Sequence, residues 1–195
     1  MPLYEYRKNA TNHLTIPRSI RQEIVCGTRQ VLDHLFALIR ERTRSGQAFL
    51  IAIDGWYGVN WTGLESGLRD AAQAHGVAVE VLSAAHLFKS PEEIEAYRRP
   101  FETDDPAFGY VNSGGILEDI LDPSKVAALK ARLAARKEGQ VELLVVIGPG
   151  AAISALEPLY DLRLYADFTM QPLLWQMWDG KLVTFGSEVP TTHYQ

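Results

Sequence analysis

The sequence predicts an α/β domain with a mainly parallel sheet and helices on both faces, three layers in all. Three observations carry this. The runs at 48–53 and 141–147 are short and almost wholly apolar, which suits strands covered on both sides rather than one. These runs alternate along the chain with amphipathic helical stretches, the pattern of a sheet built from crossover units. The turn at 54–62 leads straight from the first strand into a helix, and a strand–turn–helix–strand unit crosses over right-handedly almost without exception.

The elements follow in order. Residues 1–18 read as an irregular lead-in. Over 19–44, Ile20, Ile24, Val31, Leu35 and Ile39 recur at helical spacing, with Ser19 as N-cap and Gly46 closing the helix. Cys26 falls inside that pattern and is expected as a buried free thiol. A strand over 48–53 precedes the turn, and a helix over 62–74 ends at His75 and Gly76 as at a glycine C-cap. A second strand is expected over 77–82 and a helix over 91–99. An acidic loop surrounds residues 102–110. Val126, Leu129 and Leu133 mark the apolar face of a helix over 123–137. Strands over 141–147 and 162–166, a short helix over 170–178 and an edge strand over 182–185 complete a single domain spanning 19–186, followed by a tail over 187–195.

Composition excludes several classes. Across 195 residues the net charge is −5, and acidic and basic residues are intermixed. Nucleic-acid binders carry a basic stripe, because phosphate neutralisation supplies most of their affinity, and none is present. The apolar runs fall far short of the roughly 20 residues that span a bilayer. A single cysteine permits no internal disulfide and no cysteine-based zinc site. The expected compartment is the cytoplasm.

The most informative segment is Ile53-Asp54-Gly55-Trp56-Tyr57-Gly58-Val59-Asn60-Trp61-Thr62. It follows a buried strand and opens a helix, the context that a phosphate-binding loop requires. In this it resembles the small-molecule P-loop kinases, especially the uridine kinase and phosphoribulokinase branch. The resemblance makes Gly55, Gly58, Val59, Asn60, Trp61 and Thr62 the phosphate-binding residues, with Thr62 as the hydroxyl that holds magnesium. Asn60 stands at the family's last loop glycine, where tolerance of positive φ would make it acceptable. Trp61 stands at the family's lysine, and an indole offers one neutral donor where the lysine offers a point charge.

The resemblance continues downstream. Residues 86–90 are similar to the segment after strand two where the family carries a catalytic aspartate, and here His86 or a neighbouring alanine takes that place. Asp104 and Asp105 resemble the substrate loop, and residues 160–167 the strand before the lid, whose arginines are absent from 170–181. Loop lysine, catalytic acid and lid arginines are thus missing together. Phosphoryl transfer depends almost wholly on positioning and charge neutralisation. The resemblance therefore implies a P-loop NTPase-like fold and a catalytically degenerate kinase, with weak binding of nucleotide or phosphosugar or none. Motif order over 48–186, including Gly148-Pro149-Gly150 after the third strand, is also similar to a kinase-like domain attached to some bacterial class I mannose-6-phosphate isomerases. That implies an accessory or regulatory module of a sugar-phosphate enzyme.

Other readings stay open. An active kinase of a sugar or nucleoside, using ATP and magnesium, would need Lys89 or Lys181 in place of the lysine, with His86, Asp54 or Asp167 in catalytic roles. Gly148 and Gly150 form either a second anion cradle or a tight turn. Glu102, Asp104 and Asp105 are either metal ligands or a solvated acidic loop. Trp56, Tyr57 and Trp61 could fill the pocket or anchor a partner, a second copy included, since such rings dominate binding hot spots.

Overall fold

The order in which the strands pair is β2-β3-β1-β4, with β1 at Phe49–Gly55, β2 at Val79–Ser83, β3 at Leu143–Ile147 and β4 at Leu162–Ala166. All three pairings are parallel. Strand β1 is flanked on both sides: Ile51 lies opposite Val145 of β3 and Leu162 of β4. This computed structural model describes residues 14–42, 48–56, 58–105, 108–135, 142–183, 185 and 190.

The two central strands show why their sequences do not alternate. Successive side chains of a strand point to opposite faces, and both faces here are covered. Phe49, Ile51, Ile53, Leu143, Val145 and Ile147 enter one core, beneath helices α2 (Thr28–Arg42) and α3 (Trp61–His75). Leu50, Ala52, Leu144 and Val146 enter the other, against Leu133 of helix α5 (Pro123–Ala134), with Leu87, Phe88 and Leu121. The predicted three-layer α/β architecture is therefore the observed one.

Local signals place the helix ends. Asn60 caps α3 by accepting the Gly63 N–H at 3.0 Å. Ser90 and Glu93 form a reciprocal capping box at the start of helix α4 (Pro91–Arg98). Asp122 accepts the N–H groups of Ser124 and Lys125 at the start of α5. Leu50 and Asp161 are joined twice: the Leu50 N–H donates to the Asp161 carboxylate at 2.8 Å, and the Asp161 N–H donates back to the Leu50 carbonyl at 2.9 Å. That pair fixes where β4 enters beside β1.

Three expectations are corrected. The helix expected over 19–44 is two helices, α1 (Arg18–Glu23) and α2, broken around Gly27, whose φ is +92°. Ile20 and Ile24, before the break, are exposed; within α2 the buried face is Leu32, Leu35, Phe36 and Ile39, and Val31 lies off it and is exposed. Cys26 lies in the break and is exposed, not buried. No strand forms at Leu182, Val183 or Phe185. Several calls fall on residues outside the described ones: residues 1–13 of the lead-in, 43–44 at the end of the first expected helix, Gly46, Tyr57, Pro106, residues 136–137 of the fifth expected helix, Val141, residues 184 and 186, and the 187–195 tail apart from Pro190.

Phe36 is fully buried and stacks on His75, the last residue of α3, with centroids 5.0 Å apart. Replacing a buried phenylalanine by alanine costs roughly 3–5 kcal/mol. Phe36→Ala is expected to lower the unfolding free energy by an amount in that range, read as a lower urea midpoint at unchanged m-value, since α2 and α3 lose their common anchor.

Candidate functional site

Parallel sheets present their sites at the C-terminal ends of the strands, and here that end is organised by one carboxylate. Asp54, the penultimate residue of β1, accepts three backbone N–H groups. Its Oδ1 takes those of Gly55 at 2.7 Å and Gly150 at 3.0 Å, and its Oδ2 takes that of Ala152 at 2.9 Å. Gly148 and Gly150 adopt φ values of +120° and +83°, a backbone that L side chains rarely adopt and that turns successive N–H groups inward. The turn after β3 is thus an anion cradle whose anion is Asp54. Tyr160 closes this cluster by donating its hydroxyl to the Ala151 carbonyl at 2.7 Å. Burial, and secondarily the Asp54 charge, push the Tyr160 phenol well above its ordinary range, so it remains a donor.

The loop after β1 is closed on itself. The Trp56 N–H donates to the Ala166 carbonyl, that of Val59 to Trp56 at 3.2 Å, and that of Trp61 to Val59 at 2.8 Å. An N–H nest needs alternating right- and left-handed residues, and no described residue between Gly55 and Thr62 has positive φ. Asn60 sits at φ −73°, so its place in the sequence is explained by helix capping and not by left-handed backbone. Gly55 is required by close packing: a Cβ there would lie 2.1 Å from the Ala166 carbonyl oxygen. The Trp61 ring reaches the same point, 3.1 Å from that Cβ position, and its buried Nε1–H has no hydrogen-bond partner.

Helix α6 (Met170–Trp178) covers the loop from above. Gln176 donates to the Gly58 carbonyl at 3.0 Å, and a Cβ on Gly58 would meet Leu173 at 2.6 Å and Phe168 at 3.2 Å. Beside it, Phe185 lies between Phe88 and Trp56, stacked on the first at 5.6 Å and edge-on to the second at 5.8 Å.

The other candidate residues are dispersed. His86 is exposed in the helical turn after β2. Asp167 is exposed, and its carboxylate accepts the Phe168 N–H at 2.7 Å. Thr62 is exposed in the first turn of α3. Lys89 donates its ammonium to the Asp119 carbonyl at 2.6 Å, and Lys181 pairs with Asp179 at 2.8 Å. In the acidic loop, Glu102 pairs with Arg98. Among the described residues no group of three or more His, Cys, Asp or Glu side chains could hold a metal ion. The structure therefore brings Asp54, Gly55 and Gly150 together and leaves His86, Asp167, Lys89 and Lys181 apart in their partners.

Sequence reasoning did not find the Tyr97–Asn112–Asp119 cluster. Asp119 accepts the Ile116 N–H at 3.0 Å and the Tyr97 hydroxyl at 2.8 Å, and Asn112 donates to that hydroxyl at 2.9 Å. The Ile116 N–H first, and then Tyr97, hold the Asp119 carboxyl below its ordinary value, while Asp119 pushes the phenol up. No local spacing links residues 97, 112 and 119, so the sequence carried no signal for it.

The fold defines the class: this is an α/β domain whose parallel sheet is covered by helices on both faces. The chain belongs to the family described as "Domain of unknown function (DUF8485)", whose model matches residues 32–195. No curated protein matches the sequence. Among solved structures it is similar to a possible uridine kinase from Bacillus stearothermophilus, at 15% identity and TM-score 0.50, covering 83% of this chain and 97% of that one. It is also similar to a candidate fructose transport system kinase from Silicibacter sp. TM1040, at 13% identity and TM-score 0.55, covering 80% and 81%. At identities this low the likeness shows a shared fold and nothing further. No described helix is long and apolar enough to cross a membrane.

Two expectations follow. Asp54→Ala leaves the Gly150 and Ala152 N–H groups without their acceptor, and an unsatisfied buried donor costs about 1–3 kcal/mol. The variant should therefore unfold at clearly lower urea, with the largest gain in hydrogen exchange at 150–152. For Asp119 the folded value is depressed, so its contribution is present above the ordinary value of 3.8 and lost as pH falls through the lowered one. Stability measured between pH 5 and pH 2, on the order of the range where carboxylates titrate, should fall less steeply in Asp119→Asn than in the parent.

Proposed function

We propose that this chain is a catalytically degenerate kinase-like domain that binds nucleotide or phosphosugar weakly or not at all and serves as an accessory or regulatory module of a sugar-phosphate enzyme. One observation carries the reading: the loop that would cradle phosphate spends the N–H groups of Trp56, Val59, Trp61 and Gly63 on the protein's own oxygens. A phosphate entering there would have to break those bonds and would meet no lysine, because Trp61 occupies that position. Anion binding at a helix start relies on free N–H groups and on the positive end of the helix dipole. Here the Trp61 and Gly63 N–H groups at the start of α3 are already committed.

The sugar-phosphate part of the reading is supported by motif order and by the fold likeness to a candidate fructose transport system kinase. An attached isomerase domain, or a second copy of this chain, is the partner class we propose. The alternative of an active kinase is disfavoured by the two lysines it would need: Lys89 is held by the Asp119 carbonyl and Lys181 by the Asp179 carboxylate. Missing phosphate clamps matter greatly here, since a single arginine finger is worth about 10³–10⁵ in rate.

A thermal-shift titration with ATP and GTP, each with and without magnesium, and with mannose 6-phosphate tests the proposal. A ligand at 100 times its dissociation constant would add about 2.7 kcal/mol of stability. We expect no magnesium-dependent shift at millimolar nucleotide. A strong magnesium-dependent shift, together with turnover abolished by Thr62→Ala, would establish the active-kinase reading in its place.

A further inference from the structure

The stretch from Phe108 to Ile116 turns its large apolar side chains to solvent. Phe108 is 72% exposed, Tyr110 69%, Val111 87% and Ile116 60%. Single exposed apolar residues are ordinary, whereas several so close together mark a contact surface. The backbone that carries them is fixed at both ends. At one end the Tyr110 N–H donates to the Phe101 carbonyl at 2.7 Å, and the Thr103 hydroxyl donates to the Phe108 carbonyl at 2.8 Å. At the other, Asp119 accepts the Ile116 N–H, and Asn112 is tied through the Tyr97 hydroxyl to the same carboxylate. The Tyr97–Asn112–Asp119 cluster thus supports a platform of rings and aliphatic carbon. A surface ordered in advance spends less entropy on association, and tyrosine is a common anchor of such contacts.

The platform is acidic. Between 100 and 124 the chain has no lysine or arginine, but it has Glu102, Asp104, Asp105, Glu118, Asp119 and Asp122. Glu102 is answered by Arg98, Asp119 is engaged by Tyr97 and Ile116, and Asp122 caps α5. Asp104 and Asp105 are exposed, just before Phe108 in the chain. The complement of this surface is an apolar segment with positive charge, and the chain itself contains one. Helix α1, six residues long, has no buried residue. Leu14, Ile20, Ile24 and Val25 are exposed there, as are Arg18 and Arg21. A helix this short draws its stability from packing, and its own copy buries none of it. Helix α1 leads into α2, which packs on the first core, whereas Leu117 at the end of the platform packs on the second. The sheet therefore separates the two surfaces within one copy.

We propose that α1 of one copy docks on the 108–116 platform of a second copy. Ile20 and Ile24 lie against Phe108, Tyr110, Val111 and Ile116, and Arg18 and Arg21 face Asp104 and Asp105. The contact is heterologous, since it joins two different patches, and every copy carries one of each. No nucleotide takes part, so the contact stands apart from how the loop after β1 treats phosphate.

The test is analytical ultracentrifugation of the full chain, without nucleotide. The parent is expected to associate as its concentration rises, and less so at high salt, which screens the attraction between arginine and aspartate. Ile20→Asp with Ile24→Asp removes one half of the contact, and Phe108→Ser with Tyr110→Ser removes the other. All four positions are exposed, so the fold is expected to survive, and far-UV circular dichroism checks it. Each double variant alone is expected to be monomeric. An equimolar mixture of the two is expected to associate again, because each supplies the half that the other lacks. A parent that stays monomeric overturns the proposal, as does a variant that associates alone as the parent does. Two monomeric variants whose mixture also stays monomeric overturn the pairing of α1 with the platform.

Discussion

At the end of β1 a single carboxylate gathers the N–H groups of Gly55, Gly150 and Ala152. Hydrogen bonds to a charged acceptor are about twice as strong as neutral ones, and these three come from both loops that meet at the C-terminal edge of the sheet. Asp54 thereby sets the separation of the first and third strand ends and holds Gly148 and Gly150 in their left-handed backbone. Tyr160 reinforces the same loop through the Ala151 carbonyl. An anion cradle exists in this protein, and its own chain fills it.

The neighbouring loop follows from that arrangement. Gly55 must lie against β4, where a side chain would collide with the Ala166 carbonyl. The chain then turns within a few residues to reach the Asn60 cap of α3, closing its N–H groups onto its own carbonyls. Trp61 extends into the space beside Gly55, and α6 covers Gly58. The site is thus filled by the protein from three directions: Asp54 from below, Trp61 from within and α6 with Phe185 from above. Each filling replaces a function that in a phosphate-binding domain would belong to the ligand. The fold is similar to that of two solved kinase-like structures, while the strand-end loop is occupied by the protein's own side chains.

Much of this was legible in the sequence where burial is two-sided. The runs containing Phe49–Gly55 and Leu143–Ile147 lack alternation because both faces are covered, and that alone pointed to a parallel sheet with helices on both sides. Gly76 was readable as a helix stop, and it does end α3 with φ +66°. The 19–44 helix was misread because apolar spacing continues across Gly27, although the backbone there reverses; the periodicity of Ile20 and Ile24 leads to no core. The role of Asp54 was not legible, since its acceptor function depends on Gly150 and Ala152, nearly a hundred positions away. Asn60 was legible as a loop residue but for the wrong reason, positive φ instead of capping. Phe185 was read as part of an edge strand, when its apolar character serves to stack on Phe88.

The central claim is that the loop after β1 is closed on the protein itself and not held open for phosphate. Native-state hydrogen exchange of the N–H groups of Trp56, Val59, Trp61 and Gly63, with and without ATP and magnesium, tests it most directly. Slow exchange in the free protein, unchanged by nucleotide, is the result predicted here. Fast exchange in the free protein that becomes slow when nucleotide is added would contradict it.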